Sequence, residues 1–535
     1  MPLNGCSPQL RLSLRRAISM MPPRLFLRNG SRWATRNAVG FNPVRRVSGR
    51  AAFAYTWLTN TPDAISPIDI AAGGSLSPGE LHVSNPDPYT LLFLVTPRFA
   101  HWLDPANPFL QECIRDFYPS SSLPDTLYTV AAIVDKIPGN ASPHTASTQG
   151  AEVPAQEEYE GISILGAVTE NVRGKVAPKR RIGAPSNEEP NLLFTIQNEQ
   201  NPHSAAHQVG LRLANTIFIN EKETTLLGMR WSRDQEQSGG SSSNYTLDQS
   251  MDLAGCVFDA ASPTIHPSLV LPLDPVSQRR RVITSMGNIL RQVAKSTDPG
   301  STAPMPASSE LERELPRYIA ENNIEDQRVS VWALVETPDV QIAGRESSTQ
   351  DRLTQSLRQG GKLHRVVSGG GGWGKKQGLL SLDPEVSFTG TARSSELVAL
   401  DEVFGSNPST PAEVLPSFDE IMGGDDLSNL SQVAREGDFI QFFVSVEPPT
   451  SNTVVDNRNL HGITYRFGVV SDFEEIVTHV SGEGEKSLVS LPHTFGALSE
   501  KAITYTQPAV QGLKVFESST KLDIPGSQVV LSPVY

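Results

Sequence analysis

At 535 residues the chain is longer than one ordinary hydrophobic core organises, so two domains or one large composite domain are expected. Its 38% apolar content can bury sizeable cores, which excludes whole-chain disorder. Three cysteines without a C-x-x-C pair exclude a disulfide framework and a structural zinc site as organising features, and no apolar run approaches the ~20 residues that span a bilayer.

The charge is concentrated unevenly. Residues 1–50 carry ten arginines and no lysine, and the first acidic residue is Asp63. In "LRLSLRRAISMMPPRLFLR" a helix would set Arg11, Arg15 and Arg16 opposite Leu10, Leu14 and Ile18. That is the composition of a mitochondrial transit peptide, with a basic arm for nucleic acid or a membrane as the alternative. Removal near "RRVSGRAAFAY" would leave a protein of the mitochondrial matrix. The whole chain holds 45 basic and 58 acidic residues; without those ten arginines 35 face 58, a balance near −23. So acidic a body disfavours general nucleic-acid binding.

In chain order, residues 51–88 read as a linker, rich in Pro, Gly and Ser from Pro62 to Pro88. "YTLLFLVTPRF" (89–99) is an apolar run and a buried strand, and Leu110, Cys113, Ile114 and Phe117 predict a helix over about 107–118. "TLYTVAAIVDKI" (126–137) and "EGISILGAVTE" (160–170) are further buried strands. Apolar strands without alternation imply a sheet covered on both faces. Residues 139–159 and 234–245 are polar insertions.

Over 274–295, Val276, Val282, Ile283, Met286, Ile289, Leu290 and Val293 fit one side of a long helix, which would place "QRRRV" (278–282) on its solvated face. Residues 296–308 are the best interdomain linker, followed by a helix opened by a Ser309–Glu312 capping box and kinked or interrupted at Pro316. Another helix, about 348–358, stops at Gly360 and Gly361. Strands follow at 329–336, 439–447, 462–472 and 526–535. The class is α/β to α+β, with mixed sheet layers, covering helices and a strand-rich C-terminal half. The expected domains are an N-terminal α/β unit over 85–295 and a C-terminal α+β unit over 309–535.

The most unusual passage is "KLHRVVSGGGGWGKKQGLLSLDPE" (362–385). Gly369 to Lys376 fits G-x-x-x-x-G-K, but Lys376 stands where a phosphate loop needs Ser or Thr, and the strand-like "LLSL" follows where a helix should open. Two readings remain beside that nucleotide-dependent enzyme. In one, the glycines only permit a tight turn between strands. In the other, the N–H groups of Gly369, Gly370, Gly371, Gly372 and Gly374, the ring of Trp373 and the cations Lys375 and Lys376 bind a carboxylate or phosphate. His203 and His207 lie one helical turn apart, but with no third ligand nearby, so neither a metal nor any cofactor is expected. No catalytic residue stands out.

The succession "YTLLFLVTPRF", helix, "TLYTVAAIVDKI", insertion, "EGISILGAV" resembles the opening of the FIST family of sensory domains, and "LHRVVSGGGGWGKKQGLLSL" resembles a later strand with a glycine-rich turn. The family's Gly-Cys-Ser/Thr type turn is replaced by Asp135-Lys136-Ile137-Pro138. Spanning roughly 85–385, the resemblance implies a non-catalytic module that senses a small ligand. An assembly or interaction factor for a matrix complex, such as the mitochondrial ribosome, is the alternative.

Overall fold

The computed structural model describes residues 53–73, 89–104, 107–118, 124–139, 158–178, 189–199, 206–233, 245–262, 264–298, 300–324, 329–340, 348–369, 378–388, 397–405, 432–446, 462–471, 488–511 and 514–533. The arginine-rich leader and both polar insertions fall largely or wholly outside them.

The run from Leu91 to Val95 shows why unalternating apolar sequence makes a doubly covered strand. Alternate side chains on a strand point to opposite faces. Leu91, Phe93 and Val95 therefore pack with the helix Phe109–Phe117, through Phe109, Leu110 and Ile114. Leu92 and Leu94 enter a second core containing Phe194, Phe467 and Phe495. The strand Tyr89–Val95 pairs in parallel with Thr126–Ile133 and antiparallel with Glu158–Val168. A helix linking two parallel neighbours is the α/β element expected there.

Among the described residues the strands form sheets of fourteen, four and eight. The largest draws on both halves of the chain. Phe53–Thr59 lies between Glu158–Val168 and Leu488–Pro492, and His207–Arg212 pairs with Ile503–Gln511. Where residues 51–88 are expected to be a linker, Phe53–Thr59 is thus a strand, and Pro67–Gly73 is a short helix. Aromatic and β-branched residues in "FAYTWLT" suit a pleated, buried surface. Mixed pairing, many strands and few helices make the fold α+β.

The eight-stranded sheet closes on itself. Phe439–Ser445, Arg280–Met286, Ile289–Ala294, Leu380–Leu382, Lys362–Gly369 and Val331–Glu336 pair successively, each antiparallel, and the last pairs again with Phe439–Ser445. Closure leaves no long open edge, and two short strands, Leu273–Pro275 and Pro304–Pro306, add to Phe439–Ser445 and Ile289–Ala294. Val282, Val293, Ala333, Val335, Leu380, Ile440, Phe442 and Val444 share the core of this small barrel.

Two strands of the barrel come from the segment expected to be a helix. Residues 280–294 are a hairpin, with Met286 opposite Ile289 and Gly287-Asn288 between them. Gly287 has φ +60°, a conformation that costs glycine little, and Gly-Asn is a hairpin signal. Val282 and Val293 face each other at 0% exposure. Apolar spacing suited either structure; the turn decided it. Part of the 296–308 segment, Pro304–Pro306, pairs with Ile289–Ala294. The next helix, Ser308–Glu321, packs on the barrel through Leu311 and runs through Pro316 without interruption. Ser309 does not cap it: the N-cap is Ala307, and Ser308 Oγ bonds Glu312 Oε1 at 2.7 Å. Thr349–Arg358 begins with Ser348 Oγ accepting from Asp351 N, and Gly360, at φ +92°, follows its end.

Candidate functional site

The glycine-rich passage joins two strands of the barrel. Lys362–Gly369 and Leu380–Leu382 are antiparallel, with Gly369 opposite Leu380. Gly370, Gly371, Gly372, Trp373, Gly374, Lys375 and Lys376 lie outside the described residues. On the downstream side Gly378 has φ +85° and the chain enters a strand, not the helix whose N-terminus a phosphate loop presents to its anion.

Gly369 borders a cleft of about 610 Å³ between the barrel and the large sheet. The barrel supplies Val331, Arg365, Val367 and Gly369; the sheet supplies Arg212, Lys501, Lys521 and Asp523. The barrel's contribution is a consecutive run, Arg365 to Gly369, whose pairing with Leu380–Leu382 is irregular between Val366 and Ser368, so that side chains of both parities line the cleft.

Most of the charge in the cleft is paired. Lys521, with 9% of its side chain exposed, contacts Asp383, donates to Glu385 Oε2 at 3.0 Å and lies 3.7 Å from Asp523 Oδ2. Burial works against its ammonium, but these carboxylates outweigh burial and raise its pKa above the ordinary lysine value. Burial also opposes ionisation of Asp383, yet Lys521 and the Glu385 N–H hold its pKa below the usual carboxylate value. Trp332 Nε1 donates to Asp523 Oδ1 at 2.7 Å. Arg212 pairs with Glu385 at 2.9 Å and Glu189 at 3.6 Å, and its guanidinium lies 4.5 Å from the centre of the Phe388 ring. Lys501 Nζ is 3.3 Å from Glu189.

Arg365 differs. It donates to Ser330 Oγ at 3.1 Å and stands 5.7 Å from the Trp332 ring centre, without a carboxylate partner among the described residues. Its neighbour His364 is 2% exposed. His364 Nδ1 lies 2.8 Å from the Asp383 carbonyl, so Nδ1 carries the proton and donates. Nε2 is then a buried acceptor with no partner among the described residues. Burial lowers the pKa of His364 to about 4, keeping the ring neutral.

The other sequence candidates are placed differently. His203 is outside the described residues; His207 begins a strand, so the helical spacing does not apply to it, and its Nδ1 lies 2.9 Å from Tyr505 OH. Burial takes its pKa down to about 4. Among the described residues no three His, Cys, Asp or Glu side chains form a metal-holding group. The "QRRRV" segment is no solvated helix face: Arg280 is 6% exposed on a strand and bonds Glu310 at 2.7 Å. Of the expected site residues, the structure places Gly369 in the cleft. Arg365, Arg212, Lys521, Asp383 and Asp523 were not among them. Nothing in spacing marked Arg365 or linked it to residues 212 or 521.

Compared with protein families, curated proteins and solved structures, the chain matches none.

Proposed function

We propose that this protein is a non-catalytic binding module that takes a small anionic metabolite in the cleft beside Gly369, where the glycine-rich passage begins. The observation carrying the reading is Arg365. It is a guanidinium without a carboxylate partner among the described residues, four positions before Gly369, in a cleft of about 610 Å³, a size suited to small-molecule ligands. A carboxylate or phosphate fits its planar donor fork. The role proposed is sensing, of the FIST kind, in the mitochondrial matrix after loss of the cationic leader.

The test is a screen of carboxylates and phosphate esters against the purified chain by thermal unfolding. A cognate ligand at a hundred times its Kd should add about 2.7 kcal/mol. Arg365→Ala, and replacement of Gly370 and Gly371 by valine, should remove that gain without lowering the unliganded melting temperature. No stabilising anion, or undiminished gain in both variants, would overturn the reading.

A second reading, an assembly factor for a matrix complex, draws on a different observation. In the short helix Ile217–Asn220, Phe218 is 101% exposed and Ile217 and Ile219 stand out beside it. Exposed apolar clusters of this kind mark partner contacts. Capture of tagged protein from mitochondria should then retain a stoichiometric set of proteins that Phe218→Ser loses; an unchanged set would count against this contact.

A further inference from the structure

A separate cleft of about 780 Å³ lies at the start of the barrel's first hairpin strand, against the helix Ser308–Glu321, and it shares no lining residue with the cleft at Gly369. Five arginines line it, Arg279, Arg280, Arg313, Arg317 and Arg352, against Glu310, Glu314 and Glu321. On so acidic a chain this convergence is unusual, and each arginine can be accounted for in turn. Arg280 is spent on Glu310 and on the Lys295 carbonyl, both at 2.7 Å. Arg313 and Arg317 are exposed and pair with Glu314 and Glu321. Arg279 donates through Nε to the buried Glu336 at 2.5 Å and lies 3.7 Å from the Phe439 ring centre, leaving Nη2 buried without a hydrogen bond.

Arg352 is the exception. Its Nε and Nη2, the edge that receives a carboxylate or phosphate in two-point fashion, are buried and have no hydrogen-bond partner among the described residues. Burial lowers its pKa from the ordinary arginine value; Glu336 acts the other way, and Arg279 adds to the lowering. No carboxylate lies within ion-pair distance of Arg352 among the described residues. Gln441, on the same wall, donates to the Ser277 carbonyl at 2.7 Å while its Oε1 is an unfilled acceptor. A guanidinium stays charged, and buried donors are nearly always satisfied. Three unfilled donors, with two unfilled acceptors, Gln441 Oε1 and Oε1 of the buried Glu336, describe a seat for an anion that also carries a hydroxyl or amine.

We propose that this cleft is a second small-molecule site, which takes a metabolite-sized carboxylate or phosphate on the Nε–Nη2 edge of Arg352, with Arg279 Nη2 as a further donor. The barrel then carries two anion sites, and they function independently because no lining residue is common to both.

Calorimetric titration of the full chain with succinate and with inorganic phosphate, each against chloride at matched ionic strength, tests this and separates the two ligand chemistries. At least one probe should bind. Its affinity should fall about ten- to hundredfold in Arg352→Met and in Arg352→Lys, which keeps the charge but loses the fork, and the same titration component should persist in Arg365→Ala. If Arg352→Met does not fold by circular dichroism, Arg352→Lys decides the matter. Binding undiminished in the folded Arg352 variants, no binding of either probe to the wild-type chain, or loss of that component in Arg365→Ala would overturn the proposal.

Discussion

The open fourteen-stranded sheet and the closed barrel are stabilised by different means. The sheet around Phe93 is held by large apolar side chains stacked on both faces, with Phe93, Phe109, Trp102 and Phe99 on the helix side and Phe194, Phe467 and Phe495 on the other. The barrel has a smaller, mainly aliphatic interior and an outer wall of buried ion pairs, Arg280–Glu310 and Arg279–Glu336 among them. Shape complementarity keeps the sheet intact, whereas the barrel wall depends on the ion pairs Arg280–Glu310 and Arg279–Glu336. Both clefts border the barrel, and each is lined by a guanidinium, Arg365 or Arg352, without a carboxylate partner among the described residues.

The contrast is sharpest in single substitutions. Phe93→Ala should cost about 3–5 kcal/mol in urea unfolding, because the side chain is 0% exposed between packed aromatics and the cavity cannot close. Glu310→Ala should cost nearly as much, about 3–5 kcal/mol, for another reason: it strands the buried Arg280. The two should separate in the double variant. Arg280→Met with Glu310→Leu should recover most of the loss, while no second change of charge rescues Phe93→Ala. If the double variant is as unstable as Glu310→Ala alone, the barrel wall depends on shape after all.

Acid should affect the buried polar groups before the apolar layer. His207 and His364 have pKa values lowered from 6.5 to about 4, so the unfolded chain binds their protons first. Their contribution is complete above about pH 6.5 and is lost as pH falls toward 4, roughly 2 kcal/mol each by pH 5. Asp135 acts oppositely. Burial raises its pKa from 3.8 to about 6, so it favours the fold increasingly as pH drops through 6 and offsets part of the loss. Urea midpoints at pH 7.5 and 5 should therefore fall overall with acid, and His207→Phe should flatten the slope. The smallest effect belongs to the surface: Lys222→Ala, which removes the exposed pair with Asp252, should change stability by less than about 1 kcal/mol.

Legibility in the sequence follows the same division. Leu91–Val95 and Thr126–Ile133 were readable because burial on both faces leaves no polar position in the run, and Phe109–Phe117 because its apolar residues recur at helical spacing. Residues 280–294 misled for a physical reason: Val282, Leu290 and Val293 satisfy a helical stripe as well as a hairpin, and one glycine at positive φ selects between them. At the Gly369 cleft the glycines announced a turn, but its charged wall gathers residues 212, 365, 383 and 521, which only the sheet topology unites.

The strand Phe53–Thr59 is hydrogen-bonded on one side to residues near position 490, and Thr56 Oγ1 reaches the carbonyl of Thr494, 438 residues further along the chain. A nascent chain therefore leaves that flank bare until almost all of it has been synthesised. Closure is delayed and topologically slow, and the waiting strand can pair with another polypeptide. Maturation of this protein should accordingly depend on chaperones that shield its early segments until the late ones arrive.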